Sequence, residues 1–495
     1  MGDENTVLSE ADVRHLLRRT GFGAKQKEVD KMLKKYDTRG AAADKLLSFR
    51  PSGFRPGGKD IRDRRVKWIK YMLKGTRGLQ EKLVLFLHDH FATNYDTVRN
   101  DLHMANQNRL LRRNCIGDFK SLVKQINLDP AMMNFLDTIR SRKENPNENY
   151  PRELLELFCL GPQDFAGNEN YDQVDIVQIA RAFSGWRYNN KDEPYLQESR
   201  HDYMEDWPER GPKVLFQTVG GFGAGGRSFT TRGEGANEIE EVIDALFDHK
   251  DTDGQSTVAR RMAQRLLEYF CHGGYATPTP TTVAAVDAVI AESGFDTTWS
   301  LKDLVRAILV SDAFYETAAP APNGATTARS VKWPIDYAVT SMRLLGVKPR
   351  GRDARVDGGS RRRIVDHLQN MGQDLFDPPS VFGWDWENSW ITSRTVLARA
   401  VLARDLTVKW GNTTSFRPWK LMNLELTDPG EIVDAVTNVL GVTDRFSEPE
   451  RDILIQYLTD EGAVTSIDLQ DEDVVEKKLG GLFAVVMHSP PYQLQ

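Results

Sequence analysis

Apolar positions along this chain recur at helical spacing almost wherever they form a pattern. From Leu301 through Leu304, Val305, Ile308 and Leu309 they fall at i, i+3, i+4, i+7 and i+8, the stripe of a helix with one face in a core. Val258, Met262, Leu266 and Phe270 make a second stripe, and Leu83, Leu87 and Phe91 a third. Helix starts agree with the stripes. Ser9 is placed to cap a helix bearing Val13, Leu16 and Leu17, with Asp12 in its first turn, and Asp172 to cap one bearing Ile176, Ile179 and Phe183. Alternating, strand-like runs are few. The pattern therefore predicts an all-α protein, a large multi-helix body.

The periodicity lapses from about Asn189, through the glycines at 220, 221, 223, 225 and 226, to Asn237. An unpatterned passage of that length is usually functional, and a short hairpin is expected within it between Lys213 and Thr231. Thr277-Pro278-Thr279-Pro280 reads as a turn and residues 318–323 as an Ala/Pro linker. These breaks divide the chain into four regions. Residues 1–200 form an N-terminal helical region, 201–245 a Gly-rich loop or hairpin insertion, 246–410 a central helical region with a Pro/Trp loop, and 411–495 a C-terminal helical region. There is also an echo: Leu304 to Phe314 and Leu482 to Tyr492 both run from an aliphatic helix into Ser-x-x-aromatic.

Composition narrows the function classes. With 495 residues, 40% hydrophobic, 27% charged and a formal charge of −6, the chain has the make-up of an ordinary water-soluble globular protein and no excess of base for nucleic acid. Arg62-Asp63-Arg64-Arg65 and Arg361-Arg362-Arg363 sit near carboxylates and read as solvated faces. Cys115, Cys159 and Cys271 are scattered and outside any C-x-x-C spacing, so each reads as a small buried hydrophobe. No run approaches the roughly 18 apolar residues of a membrane span, so no membrane insertion is expected, and Met1-Gly2-Asp3-Glu4-Asn5 lacks the features of a signal peptide.

Three segments carry more polar residues than packing requires. Phe86-Leu87-His88-Asp89-His90-Phe91 ends an apolar helix. Residues two apart on a helix point to nearly opposite sides, so His88 and His90 bind one metal only if the helix breaks between them. Asn147-Glu148-Asn149-Tyr150-Pro151-Arg152-Glu153-Leu154-Leu155-Glu156 opens a helix at Asn149 or Tyr150. Glu153 and Glu156, three apart, are expected on one face. Such a carboxylate pair can do acid and base work, hold a cation together with an imidazole, or pair with Arg152 and Arg181 as a structural network. The third segment, Gly372 to Trp384 with Trp386, Asn388 and Trp390, is a Pro/Gly/Trp loop of the kind that stacks on sugar rings, covers a pocket or packs over helix ends. Gly221-Phe222-Gly223-Ala224-Gly225-Gly226 matches a dinucleotide fingerprint by letter, but no helix is expected to follow it. No G-x-S-x-G, H-E-x-x-H or Walker pattern is present.

At these segments the chain resembles the bacterial "domain of unknown function 1800" family. The likeness starts at Leu16-Leu17-Arg18-Arg19-Thr20-Gly21-Phe22-Gly23-Ala24 and returns at His88-Asp89-His90-Phe91-Ala92, where the family more often has Asn between the histidines. It runs on through Asp129-Pro130-Ala131-Met132, Asn147 to Leu157, Ala180 to Trp186, His201-Asp202, Ser311 to Phe314 and Gln373 to Trp384, and closes on Ser489 to Gln493. Pro151 and Phe158 depart from the family's usual alanine and histidine. The resemblance implies a protein often exported and often encoded beside a second family similar to alkaline phosphatases and sulfatases, which would supply a partner.

Three functions are consistent with this reading. One is a hydrolase of a glycan or another polar polymer. In it Glu148, Glu153, Glu156 and Arg152 would be catalytic, Asn147, Asn149, Arg181, Trp186, Trp384 and Trp390 would hold substrate, and His88 and His90 would bind a divalent metal or act as charge partners. The second is a non-catalytic scaffold or binding partner of the phosphatase/sulfatase-like protein, its polar residues fixing helix crossings. The third is a metal-dependent redox protein.

Overall fold

The computed structural model of the chain describes residues 2–203, 211–229, 235–316, 330–349, 355, 363–407 and 416–495. Residues 318–323, Arg361, Arg362 and Thr231 lie outside them. The described chain is mainly α-helical, and its helices begin where local chemistry asks them to. Ser9 Oγ accepts the N–H of Asp12 at 3.1 Å, the Asp12 carboxylate accepts the N–H of Ser9 at 3.1 Å, and the Glu10–Thr20 helix follows. Asp172 and Asp175 make the same reciprocal box ahead of Gln173–Ala182. The stripes on Thr257–Phe270 and Leu301–Val310 are buried, as an amphipathic helix against a core requires.

The buried apolar side chains, from Leu8 to Tyr492, join in one core to which all four sequence regions contribute. Through that core runs Gly78–His90, a helix whose residues from Leu79 onward are all buried, polar ones included. Ile61–Met72 and Asp101–Asn114 lie alongside it. Its start is set by two glycines. A Cβ on Gly78 would lie 2.8 Å from Gly21 Cα and 3.2 Å from the Thr20 carbonyl, so the end of the first helix and the beginning of the central one touch backbone to backbone.

Two antiparallel two-stranded ribbons are present among the described residues. Trp186–Tyr188 pairs with Pro194–Leu196, and Lys213–Leu215 pairs with Arg227–Phe229, Lys213 opposite Phe229. The second is the expected hairpin. It places the Gly-rich stretch in its connection and a strand, not a helix, after it, which removes the context a dinucleotide fingerprint needs. The first was not legible, because strands of three residues are too short to alternate visibly. The echo is structural too: Leu301–Val310 passes through Ser311 (φ −71°, ψ 151°) into Asp312–Tyr315, and Gly480–His488 passes through Ser489 (φ −71°, ψ 152°) into Pro490–Gln493. Phe314 and Tyr492 are both fully buried. Arg62, Arg64 and Arg65 are paired with Asp366, Asp101 and Asp374, and no described helix is long and apolar enough to cross a membrane.

Candidate functional site

A helix buried on every side must find partners for each polar group it carries, since an unpaired charge in a core costs several kcal/mol. On the central helix this demand is met by side chains from distant parts of the chain. Glu81 accepts Trp68 Nε1 at 2.7 Å, Gln80 Nε2 at 2.7 Å, and the Arg112 guanidinium through both oxygens at 2.8 and 2.7 Å. Lys82 Nζ lies 2.7 Å from Asp336, both residues almost wholly buried, and also faces the Phe22 ring. Burial holds the Lys82 ammonium below its ordinary range, and Asp336 opposes that shift.

Asp89 joins the first motif to the third. Its carboxylate accepts the backbone N–H of Trp384 at 2.7 Å and Trp386 Nε1 at 2.9 Å, with Arg265 Nη2 3.6 Å away. Arg265 is in turn bonded to Glu268 at 2.7 Å and lies over the Trp386 ring. Burial pushes the Asp89 carboxyl up to about 7, against the pull of Arg265 and the two N–H donors. Gly383 has φ +83°, and a Cβ there would run into the Asp89 carboxylate. Asp, Gly and Trp thus form one lock between helix and loop.

The histidines on either side of Asp89 do not converge. The helix continues unbroken to His90, so their rings leave on opposite sides. His88 stands among Trp68, Phe376 and Trp384, and its Nε2 has no hydrogen-bond partner. His90 Nε2 meets the Phe158 carbonyl at 3.1 Å. Burial pushes both imidazoles down to about 3, so both are neutral at pH 7. Among the described residues no group of three or more His, Cys, Asp or Glu side chains is arranged to hold a metal ion.

The second motif lies at the surface end of this assembly. Asn149–Glu153 is α-helical, and Leu154–Cys159 continues it as a π-helix, with Leu160 N–H reaching back five residues to the Leu155 carbonyl at 2.9 Å. Glu153 and Glu156 both act on the Tyr171 hydroxyl, Glu156 through a hydrogen bond, and after burial both raise it. They also sense one another: half-burial first, then Glu156, raises the Glu153 carboxyl. Glu148 is bonded to Arg152 at 3.3 Å and to Gln173 at 2.8 Å, all near solvent, and Asn147 Oδ1 accepts the N–H of Asn149. The expected pairing of these glutamates with Arg181 is replaced. Arg181 is buried against Asp202 at 3.3 Å, the Gln178 side chain and the Gly211 carbonyl.

The tryptophans nominated for sugar stacking are turned inward. Trp186, Trp384 and Trp390 are buried, and the last two pack against Trp333; it is Phe382, 64% exposed, that the loop presents to solvent. The structure therefore joins the first and third motifs around Asp89, touches the second to them through the Phe158 carbonyl, and leaves Glu148, Arg152, Glu153 and Glu156 outside. A cavity of about 480 Å³ opens elsewhere, where residues 20–23 meet the start of the central helix, and none of its residues was nominated from the sequence as a site.

Residues 15–494 match the family described as a protein of unknown function, DUF1800. The chain belongs to the DUF1800 family. Neither the curated proteins nor the solved structures compared with it include a match. For this DUF1800 protein, then, the site has to be read from its own geometry.

Proposed function

We propose that this DUF1800 protein is a non-catalytic scaffold, the binding partner of the phosphatase/sulfatase-like protein that its family resemblance implies. The observation carrying this reading is that the charged residues of the central Gly78–His90 helix are taken up by partners inside the core, Glu81 by Arg112 and Trp68, Lys82 by Asp336, Asp89 by Trp384 and Trp386. Such contacts fix helix crossings and leave little free to meet a substrate. A surface suited to a partner is also present. Val396, Leu397 and Val485 stand exposed along the Ser393–Thr407 and Gly480–His488 helices, with Ile391 just before the first, and the two helices pack together with His488 Nε2 on the Val396 carbonyl at 3.2 Å. The test is co-purification with the neighbouring phosphatase/sulfatase-like protein, followed by light scattering. A stable complex that Leu397→Glu weakens, with an unchanged melting temperature, is expected. A pair that elutes apart at micromolar concentration would overturn the reading.

A second reading, hydrolysis of a glycan or another polar polymer, has one observation in its favour. Glu153 is a half-buried carboxylate raised by burial and by Glu156, the environment a general acid requires. Glu153→Gln decides it. The substitution removes a carboxylate that is costly to ionise, so the fold should keep its stability; hydrolytic turnover that disappears with it would establish the enzyme reading.

A further inference from the structure

We propose that the cavity between the first helices and the start of the central helix binds a small organic oxyanion, a phosphate or sulfate monoester carrying a ring or a short apolar group. The cavity measures about 480 Å³, within the range of roughly 300–1,000 Å³ in which small-molecule sites fall. One wall is backbone, at the contact of Gly78 with Gly21, so its shape does not depend on side-chain rotamers there.

Its charge is strongly one-sided. Lys31, Lys35, Lys45, Arg77 and Arg343 line it, with Glu28 as the one carboxylate, in a chain whose formal charge is −6. That carboxylate is already engaged, because Arg343 Nη2 lies 2.8 Å from Glu28 Oε1 while Nη1 donates to the Phe22 carbonyl. Arg77 is held on the Arg50 carbonyl at 2.6 Å. Lys31, Lys35 and Lys45 are exposed and, among the described residues, have no carboxylate within ion-pair distance. Several surface cations elsewhere have carboxylate partners, Arg306 with Glu4 and Asp44, Lys124 with Glu240, Arg451 with Asp434. Three unmatched lysines around a hollow are an arrangement an anion completes. The central helix adds to it, for Gly78, Leu79 and Gln80 also line the cavity and the helix has no side-chain cap.

The rest of the lining sets the organic part. Tyr36 and Phe49, both half-buried, supply aromatic surface beside the cations, which bare inorganic phosphate leaves unused. Lysine ammoniums are point charges that suit a tetrahedral oxyanion without demanding the planar geometry of a carboxylate. The cavity is a half-open hollow of limited volume, not an extended track, so the ligand is a small molecule. This site is separate from the scaffold reading, and either can fail alone.

The full-length protein titrated by calorimetry with phenyl phosphate, phenyl sulfate and inorganic phosphate tests the proposal. Saturable binding of a phenyl ester, tighter than that of inorganic phosphate and weakened by added salt, is the expected result, and the two esters tell which oxyanion is preferred. The triple variant Lys31→Gln, Lys35→Gln, Lys45→Gln should bind about tenfold more weakly, since three exposed charge contacts at roughly 0.5 kcal/mol each amount to that factor. Its melting temperature should match the parent's, the three side chains being exposed and unpaired. Absence of saturable binding of either ester, or equal affinity in parent and triple variant, would overturn the assignment.

Discussion

Asp89 receives the backbone N–H of Trp384 at 2.7 Å across 295 residues of sequence, and the residue before that tryptophan is a glycine because the carboxylate leaves no room for a Cβ. The second oxygen of Asp89 takes Trp386 Nε1 at 2.9 Å. Helix and loop are therefore coupled through one buried side chain. Asp89→Asn and Trp386→Phe should each destabilise the protein by about 1–3 kcal/mol, and the double variant by less than the sum. Chemical denaturation of the four proteins measures the coupling; strict additivity would mean that the contact carries no energy. Gly383→Ala should cost more than about 1 kcal/mol through its positive φ, before any displacement of Asp89 is counted.

The Lys82–Asp336 pair makes a different prediction. Asp336→Asn strands an ammonium in the core and should cost about 3–5 kcal/mol, as breaking a buried pair does. Removing both charges with Lys82→Met and Asp336→Leu should recover most of that loss. Urea titration of both variants is sufficient, and a double variant no more stable than the single one would show that the pair is not isolated from its neighbours.

Acid should expose His88. Its imidazole is pushed from the usual 6.5 down to about 3, so the stability it contributes is present above pH 6.5 and is lost as pH falls toward 3, where the unfolded chain takes up a proton that the folded one refuses. Asp89 acts the other way, its raised carboxyl favouring the fold most below the ordinary carboxylate range and losing that advantage as pH rises to about 7. The wild-type profile between pH 4 and 6.5 is therefore flattened by opposition. In His88→Phe, the free energy of unfolding should rise, relative to wild type, as the medium is acidified from pH 6.5 to 4. Parallel curves would remove His88 from the balance.

Cys115, Cys159 and Cys271 are free and buried, and burial pushes each thiol up from its ordinary value. Native protein at pH 8 should present no thiol to a disulfide reagent within minutes, and all three should react in denaturant. A thiol that titrates in the native protein would mark a local opening near it.

The fold was legible where one face of a helix meets the core and the other meets water. The stripe from Leu301 to Leu309 and the caps at Ser9 and Asp172 are local facts, and the structure places them as their spacing requires. Gly78–His90 has no such contrast, being buried all round, and its polar residues could be recognised as unusual but not matched to partners that lie in other regions. The π-turn at Leu154–Cys159 changes the hydrogen-bond step without changing the residue pattern, so nothing local in the sequence announces it. The lysine-rimmed cavity escaped notice for a similar reason. Lys31, Lys35 and Lys45 read as ordinary exposed positions until the fold sets them around the cavity beside the Gly21–Gly78 contact.

The span between Asp89 and Trp384 also bears on how the chain is made. A ribosome adding about 5–20 residues per second needs roughly 15–60 s to supply the loop that neutralises this buried carboxylate. Through that interval a helix destined for burial on every side is out of the exit tunnel with Asp89 unanswered. The nascent chain cannot close its N-terminal portion early, and its passage to the finished core depends on staying unaggregated until the last third arrives.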